Sequence, residues 1–176
     1  TSEEDNIYED FFAPALSSSV QYKRAVGYFS PAAILNATSA ISQFIENEGK
    51  IQLIFAKLVS TSDFEALKHS LDHKLTNENF VSFSDLLESH ENSLLSYRIK
   101  VLAYLFHHKK LELKVAIRPK GMFHQKIGIL RDKEGNEVSF SGSMNETIAG
   151  LDPEYNSEEI TVFKSWDEGQ KPFVKK

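Results

Sequence analysis

The sequence predicts an α/β domain, about six strands in a mixed sheet with helices on both faces. Three observations lead there. A strand-like run, a helical stripe and a second strand-like run follow one another within residues 24–55. Short alternating apolar runs recur in the second half, and two of them flank the turn-forming segment Asp132-Lys133-Glu134-Gly135-Asn136. The composition, 41% hydrophobic and 26% charged over 176 residues, suits a globular chain that buries one core without disulfides or metals.

Residues 1–12 are acidic, then aromatic at Tyr8, Phe11 and Phe12, and fit a short N-terminal helix. Arg24–Phe29 reads as a strand. Ser30 is a candidate N-cap, with Pro31 at the first helical position. Ile34, Ala37, Ile41, Phe44 and Ile45 then form one apolar stripe at helical spacing, and Gly49 reads as the C-cap. Ile51–Phe55 is mostly apolar and reads as a buried strand. Strand, helix and strand make a βαβ unit, so the two strands should be parallel with a right-handed crossover.

Ser62-Asp63-Phe64-Glu65 has the capping-box pattern and opens a predicted helix over 63–75. Residues 77–83 read as a loop. A helical stretch starts at Ser84 or Asp85 and reaches His108, and its pattern breaks around Ser89–Asn92, so it can be two helices. Leu111–Ile117, Phe123–Arg131 and Glu137–Ser141 read as strands, the last two as a hairpin. Gly142-Ser143 begins a tight turn, a short helix follows over 144–149, and Glu159–Phe163 is the last strand. The domain expected from this pattern is 1–166, with 167–176 a linker.

Composition narrows the chemistry. Cysteine is absent, which excludes a disulfide scaffold, a cysteine nucleophile and thiolate metal sites. No apolar run approaches the roughly 18 residues of a membrane span, and no signal-peptide pattern opens the chain. A cytoplasmic location is the expectation. The start lacks methionine and the end stops without a closing element, which reads as a piece of a longer protein. The net charge of −5 argues mildly against a dedicated nucleic-acid binder, although five acids in the first ten residues dilute the sum. Local basic patches, His107-His108-Lys109-Lys110 and Arg118-Pro119-Lys120, can still act within an acidic protein.

The pattern with most chemical content is His124-Gln125-Lys126. Residues two apart on a strand share a face, so His124 and Lys126 should be neighbours, with Gly128 leaving room beside them. An imidazole beside a fixed cation suits phosphoryl chemistry, because the cation holds phosphate oxygens while the ring acts on phosphorus or on the leaving oxygen. The hairpin should return Gly142-Ser143-Met144-Asn145 close to His124. A serine hydroxyl, an asparagine amide and the N–H groups of a helix start are all anion donors.

His-x-Lys, then Gly-Ser-x-Asn after a hairpin, then Asn156-Ser157-Glu158, resembles the phospholipase D-like (HKD) superfamily. The phrases Phe123–Gly128 and Ser141–Thr147 are most similar to the phospholipase D-like domain found at the N-terminus of some bacterial DEAD/DEAH helicase or restriction proteins. The resemblance covers roughly residues 20–166. It implies a phospholipase D-like α-β-α sandwich with a mixed β-sheet, and a metal-independent phosphodiesterase that uses no cofactor. His124 would attack phosphorus, and a second histidine would serve the leaving oxygen. Because the chain has one motif, that second histidine would be His124 of another copy across a two-fold axis. Lys126, Ser143 and Asn145 would stabilise charged oxygens, and Glu158 would orient an imidazole. DNA is the implied substrate, and a covalently linked helicase or ATPase region the implied partner. One departure stands out. The family's aspartate usually lies five residues after the lysine, where this chain has Arg131; the acid is Asp132, and it is given no catalytic role.

Other residues have plainer readings. His69 and His73 are four apart on a predicted helix but lack the glutamate of H-E-x-x-H, so they read as surface histidines. His107–Lys110 reads as a solvated helix end favoured by the dipole. Gly49-Lys50 lacks the flanking residues of a phosphate loop. The alternative to an enzyme is a non-catalytic nucleic-acid-binding or dimerisation module serving an attached motor. A lipid phosphodiesterase is disfavoured by the lack of a membrane-facing segment.

Overall fold

The structure, a computed structural model, describes residues 6–36, 38–72, 94–147 and 158–174. A π-helical turn at Tyr8–Phe12 runs straight into helix α1, Ala13–Ser17. Strand β1 spans Gln21–Phe29, α2 Pro31–Asn36, α3 Thr38–Glu46, β2 Lys50–Leu58 and α4 Thr61–Asp72. Helix α5 is Leu94–His107, followed by β3 Leu111–Val115, β4 Ile127–Arg131, β5 Glu137–Gly142, β6 Ile160–Lys164 and α6 Lys171–Val174. The expected stretches 77–83 and Ser84–Asn92, and the last two residues of the helix expected over 144–149, lie outside the described residues.

The six strands form one mixed sheet in the order β3-β2-β1-β4-β5-β6. β1, β2 and β3 are parallel, and β4, β5 and β6 join antiparallel. The α/β class and the parallel βαβ unit are therefore as the sequence predicts. Both crossovers, β1 to β2 and β2 to β3, step the same way across the sheet. Right-handed connections then place their helices on one face. Burial agrees: Tyr22, Arg24, Val26, Ile51, Leu53, Phe55, Leu130 and Phe140 are buried, while the alternate residues Lys23, Ile54 and Ile127 are exposed. The covered face is joined by Phe12, whose ring meets Tyr22 edge-on at 5.6 Å and Phe140 at 6.4 Å. Each such buried aromatic stabilises the fold by about 1.5–3 kcal/mol. On the other face lies a concavity of about 320 Å³, lined among others by Lys23, Ala25, Gln52, Ile54 and Ile129. Among the described residues no helix covers it.

The helix ends differ in detail from the sequence-based expectation. Gly49 does not take the left-handed conformation; Glu48 does, with φ 64°. The Gly49 N–H donates to Phe44 O at 2.8 Å and the Glu48 N–H to Ile45 O at 3.0 Å, a Schellman end. Glycine is required one residue later for another reason, because a Cβ there would lie 2.5 Å from the Phe44 ring. Helix α5 ends the same way, with Lys109 at φ 55° and the Lys110 N–H on Leu105 O. The two turns are tied by an ion pair between Lys110 and Glu48. The capping box sits two residues earlier than expected: Ser60 Oγ accepts from the Asp63 N–H at 3.2 Å, and Asp63 Oδ2 accepts from the Ser60 N–H at 3.1 Å. The segment expected as a linker carries α6, where Phe173 stacks on Phe163 at 5.1 Å and Val174 is buried.

Candidate active site

Because β4 is antiparallel to β1, the start of β4, the end of β5 and the start of β6 all gather at the C-terminal end of β1. That is the end where α/β sheets place their ligands. Four of the five expected site residues come from these strand ends: His124 and Lys126 before β4, Ser143 after β5, and Glu158 before β6. Asn145 reaches the site from the segment that follows β5.

His124 and Lys126 do not lie in the ladder, contrary to the strand expected over 123–131; β4 begins at Ile127. The β1–β4 register would set Tyr28 opposite His124. Instead the Tyr28 N–H donates to Asn145 Oδ1 at 3.1 Å, and the Ser30 N–H to Glu146 O at 2.9 Å. Residues 145 and 146 thus occupy the edge of β1 that β4 would have used, and the chain carrying His124 is displaced outwards. Glu146 forms an isolated parallel bridge with Phe29. The helix expected from Met144 is accordingly not formed over the described residues 144–147.

His124 is exposed, and Lys126 beneath it is 9% exposed. The Lys126 Nζ lies 3.3 Å from His124 Nδ1, 3.2 Å from Nε2 and 3.1 Å from the His124 carbonyl. Near-equal distances mean that the ammonium singles out neither ring nitrogen. Burial lowers the Lys126 pKa from its ordinary value; the Glu158 charge opposes this and the Arg24 charge adds to it. Gly27 allows the ring its place: a Cβ there would lie 3.2 Å from His124 Cδ2 and 3.6 Å from Asn145 Oδ1. Gly128 does not leave open space beside Lys126, contrary to the sequence-based expectation. The Phe140 ring fills that space, 2.1 Å from where a Cβ would stand.

Ser143 is fastened to the start of β6. Its N–H donates to Glu159 O at 3.0 Å, its Oγ accepts from the Glu159 N–H at 3.0 Å, and its hydroxyl donates to Glu158. Glu158 is 9% exposed. With its proton on Glu158, Ser143 must rotate its hydroxyl to donate to a phosphate. Asn145 is half-buried and anchored through Oδ1, which leaves Nδ2 as the donor end of its amide. Asp132 stands at the opposite end of the β4–β5 hairpin, where Oδ1 accepts from the Asn136 N–H at 2.8 Å and Oδ2 from Asn136 Nδ2 at 2.8 Å. Burial works against its ionisation, but these hydrogen bonds prevail and hold its carboxyl below the usual range. It shapes the turn.

Sequence reasoning missed three residues that hold the site from behind. Arg24 Nε meets Glu146 Oε2 at 3.0 Å, Tyr22 Oη donates to the same oxygen at 2.8 Å, and Arg24 also bonds the Met144 carbonyl at 2.5 Å. The guanidinium lies 5.0 Å above the Phe140 ring. The available signal was Arg24 between Tyr22 and Val26, a charge at a position whose alternation demands burial. Of the other histidines, His69 is exposed and meets Glu65 at 3.4 Å, and His73 lies outside the described residues. Among the described residues no helix is long and apolar enough to cross a membrane.

No protein-family model matches the chain, and no curated protein does. Among solved structures it is similar to NucT from Helicobacter pylori, at 18% identity over 94% of this chain and 84% of that one, with a TM-score of 0.47. It is also similar to a yeast tyrosyl-DNA phosphodiesterase, at 14% identity, with a TM-score of 0.46. That match covers 84% of this chain and 27% of the yeast protein, so the chain spans about a quarter of its length. Neither likeness assigns a role to a residue of this chain.

Proposed function

We propose that the chain is a metal-independent phosphodiesterase of the phospholipase D-like type, acting on DNA as a homodimer. One observation carries the reading: an exposed imidazole stands over a nearly buried ammonium at the C-terminal end of β1, with Ser143, Asn145 and Glu158 gathered from neighbouring strand ends. A ring nitrogen of His124 attacks phosphorus, forming a nitrogen–phosphorus bond as the bond to the leaving oxygen breaks. The partner subunit's His124 gives that oxygen a proton. The same partner imidazole then takes a proton from water, whose oxygen displaces His124 from phosphorus. Lys126 and Asn145 Nδ2 stabilise the equatorial oxygens, and Ser143 joins them once its hydroxyl turns from Glu158. Glu158 supports the charge of Lys126 and accepts the Ser143 hydrogen bond until that hydroxyl turns to the phosphate.

The phosphodiesterase named among the similar structures has the same reaction class, but the reading rests on the site rather than on that likeness. Linkage to a helicase-type motor is part of the proposal and follows from the sequence resemblance alone. The test is DNA cleavage in EDTA by wild type beside His124→Ala, on single-stranded and supercoiled substrates. Cleavage that survives EDTA and vanishes in the variant supports the enzyme. Folded, dimeric wild type that binds DNA without cutting it favours the alternative, a binding or dimerisation module.

A further inference from the structure

The substrate-holding surface can be read from the connection between β3 and β4, an inference that rests on the phosphodiesterase reading. The chain leaves β3 after Val115 and enters β4 at Ile127. Both points lie at the same end of the sheet, and β2 and β1 stand between them in the strand order. The connection 116–126 therefore crosses three inter-strand steps of roughly 4.8 Å, about 14 Å, and ends at His124. Its start is fixed by the Ala116 N–H on Phe55 O at 2.7 Å. Ile117 then stands 86% exposed, and Arg118 and Lys120 are exposed after it. Lys57 and Val59, at the end of β2, are exposed under the same crossing.

The charge at this end of the sheet is lopsided. Lys57, Arg118 and Lys120 have no carboxylate partner among the described residues, whereas Lys110, Lys114 and Lys171 elsewhere are paired with Glu48, Glu112 and Glu168. Asp63, on the near side, is buried and occupied by Ser30 and Ser60. Glu146 is occupied by Arg24 and Tyr22. Among the described residues, the other carboxylates at this end are Glu158, which accepts from Ser143, and Glu159, both at the start of β6, beyond His124. A polyanion approaching His124 thus meets cations from the β3 side and carboxylates from the β6 side. An apolar side chain as exposed as Ile117, set beside these cations, finds a partner in an unpaired base but not in the phosphates of a duplex.

We propose that the β3–β4 connection seats a single-stranded nucleic acid that enters from the β3 side and ends with its scissile phosphate at His124. Lys57, Arg118 and Lys120 hold the flanking phosphates, and Ile117 and Val59 lie against bases. The test is binding of a fluorescein-labelled oligothymidylate by the full chain, followed by anisotropy across a salt series in the His124→Asn background, which keeps the probe whole. Arg118→Ala combined with Lys120→Ala is expected to weaken binding about tenfold or more. It should also flatten the slope of log affinity against log salt by about 1.4, at roughly 0.7 for each phosphate no longer neutralised. Lys133→Ala, at the hairpin-turn end, is expected to leave the slope unchanged, and so is the charge-preserving swap Arg118→Lys with Lys120→Arg. An unchanged slope in the alanine pair overturns the proposal, as does tighter binding of a duplex of equal length. Because binding is read without turnover, wild type that fails to cut would sink the phosphodiesterase reading and leave this slope as it is.

Discussion

Arg24 on β1 and Glu146 beyond β5 meet at 3.0 Å with side chains 1% and 4% exposed, so a charge pair inside the fold fastens the segment of Ser143 and Asn145 to the strand of Gly27. Tyr22 Oη and the Met144 carbonyl complete the arrangement, which leaves the guanidinium and the carboxylate well supplied with partners. A buried pair of this kind adds little over an apolar replacement, but breaking it is costly, because the surviving charge stays buried alone. Glu146→Ala is expected to destabilise the protein by about 3–5 kcal/mol in urea unfolding. Glu146→Gln keeps the shape and a hydrogen-bonding oxygen, and its expected cost is smaller, about 1–3 kcal/mol. A loss within 0.5 kcal/mol for both, roughly the size of a surface effect, would contradict this role.

Tyr22 gives the same cluster a pH signature. Burial, and next the Glu146 charge, raise its pKa well above 10.0. The folded protein therefore keeps a proton that the unfolded chain sheds. The stability this provides is complete below pH 10.0 and is lost as pH rises from there through the folded-state value. Tyr22→Phe is expected to cost about 0.5–1.5 kcal/mol at neutral pH and to make the alkaline loss of stability shallower. Unfolding curves at a series of alkaline pH values check both parts.

Lys126 should mark the alkaline limb of substrate binding. Burial places its pKa below the ordinary 10.5, against the influence of Glu158. The ammonium then loses its proton, and with it its hold on phosphate, at a lower pH than an exposed lysine would. In the His124→Asn background, where no imidazole proton is needed, the alkaline limb of oligonucleotide binding is expected below pH 10.5. Glu158→Gln removes an influence that raises the pKa, so the limb should move to still lower pH. A limb that stays in place in the variant would show that Glu158 does not act on Lys126.

Gly27→Ala probes the placement of the imidazole. The added Cβ would come within 3.2 Å of His124 Cδ2, tight enough to push the ring by a few tenths of an ångström. A misplaced nucleophile loses near-attack geometry, and a fall in kcat of about tenfold is expected. The unfolding free energy should change by less than about 1 kcal/mol. Steady-state kinetics beside a thermal melt separate the two effects.

Much of this was legible in the sequence because it rests on short-range pattern. The periodicity of Ile34 to Ile45 and the run Ile51–Phe55 mark the βαβ unit, and Asp132–Asn136 marks the hairpin. The hairpin in turn brings Ser143 towards Lys126, as the bond from the Gly142 N–H to Lys126 O reflects. What the pattern could not carry was decided by tertiary competition. The apolar alternation of Phe123 to Ile129 predicts a strand, but the Asn145 amide takes the Tyr28 N–H that a longer β4 would have faced. Gly128 reads as empty space until the Phe140 ring, paired with it across the hairpin, occupies that space. Glu48 rather than Gly49 turns left-handed because the glycine is needed where the chain presses on Phe44. Arg24 and Glu146 lie 122 residues apart, and no local pattern pairs them.

The central claim is that His124 attacks phosphorus, and the most direct measurement is capture of the adduct. A single-stranded substrate would be mixed with the protein in EDTA, quenched in alkali to preserve a nitrogen–phosphorus bond, and digested for peptide mass spectrometry. The account predicts a phosphorylated or nucleotidylated His124 in wild type and none in Lys126→Ala. Cleavage that proceeds at full rate with no adduct on His124, or an adduct on another residue, would contradict it.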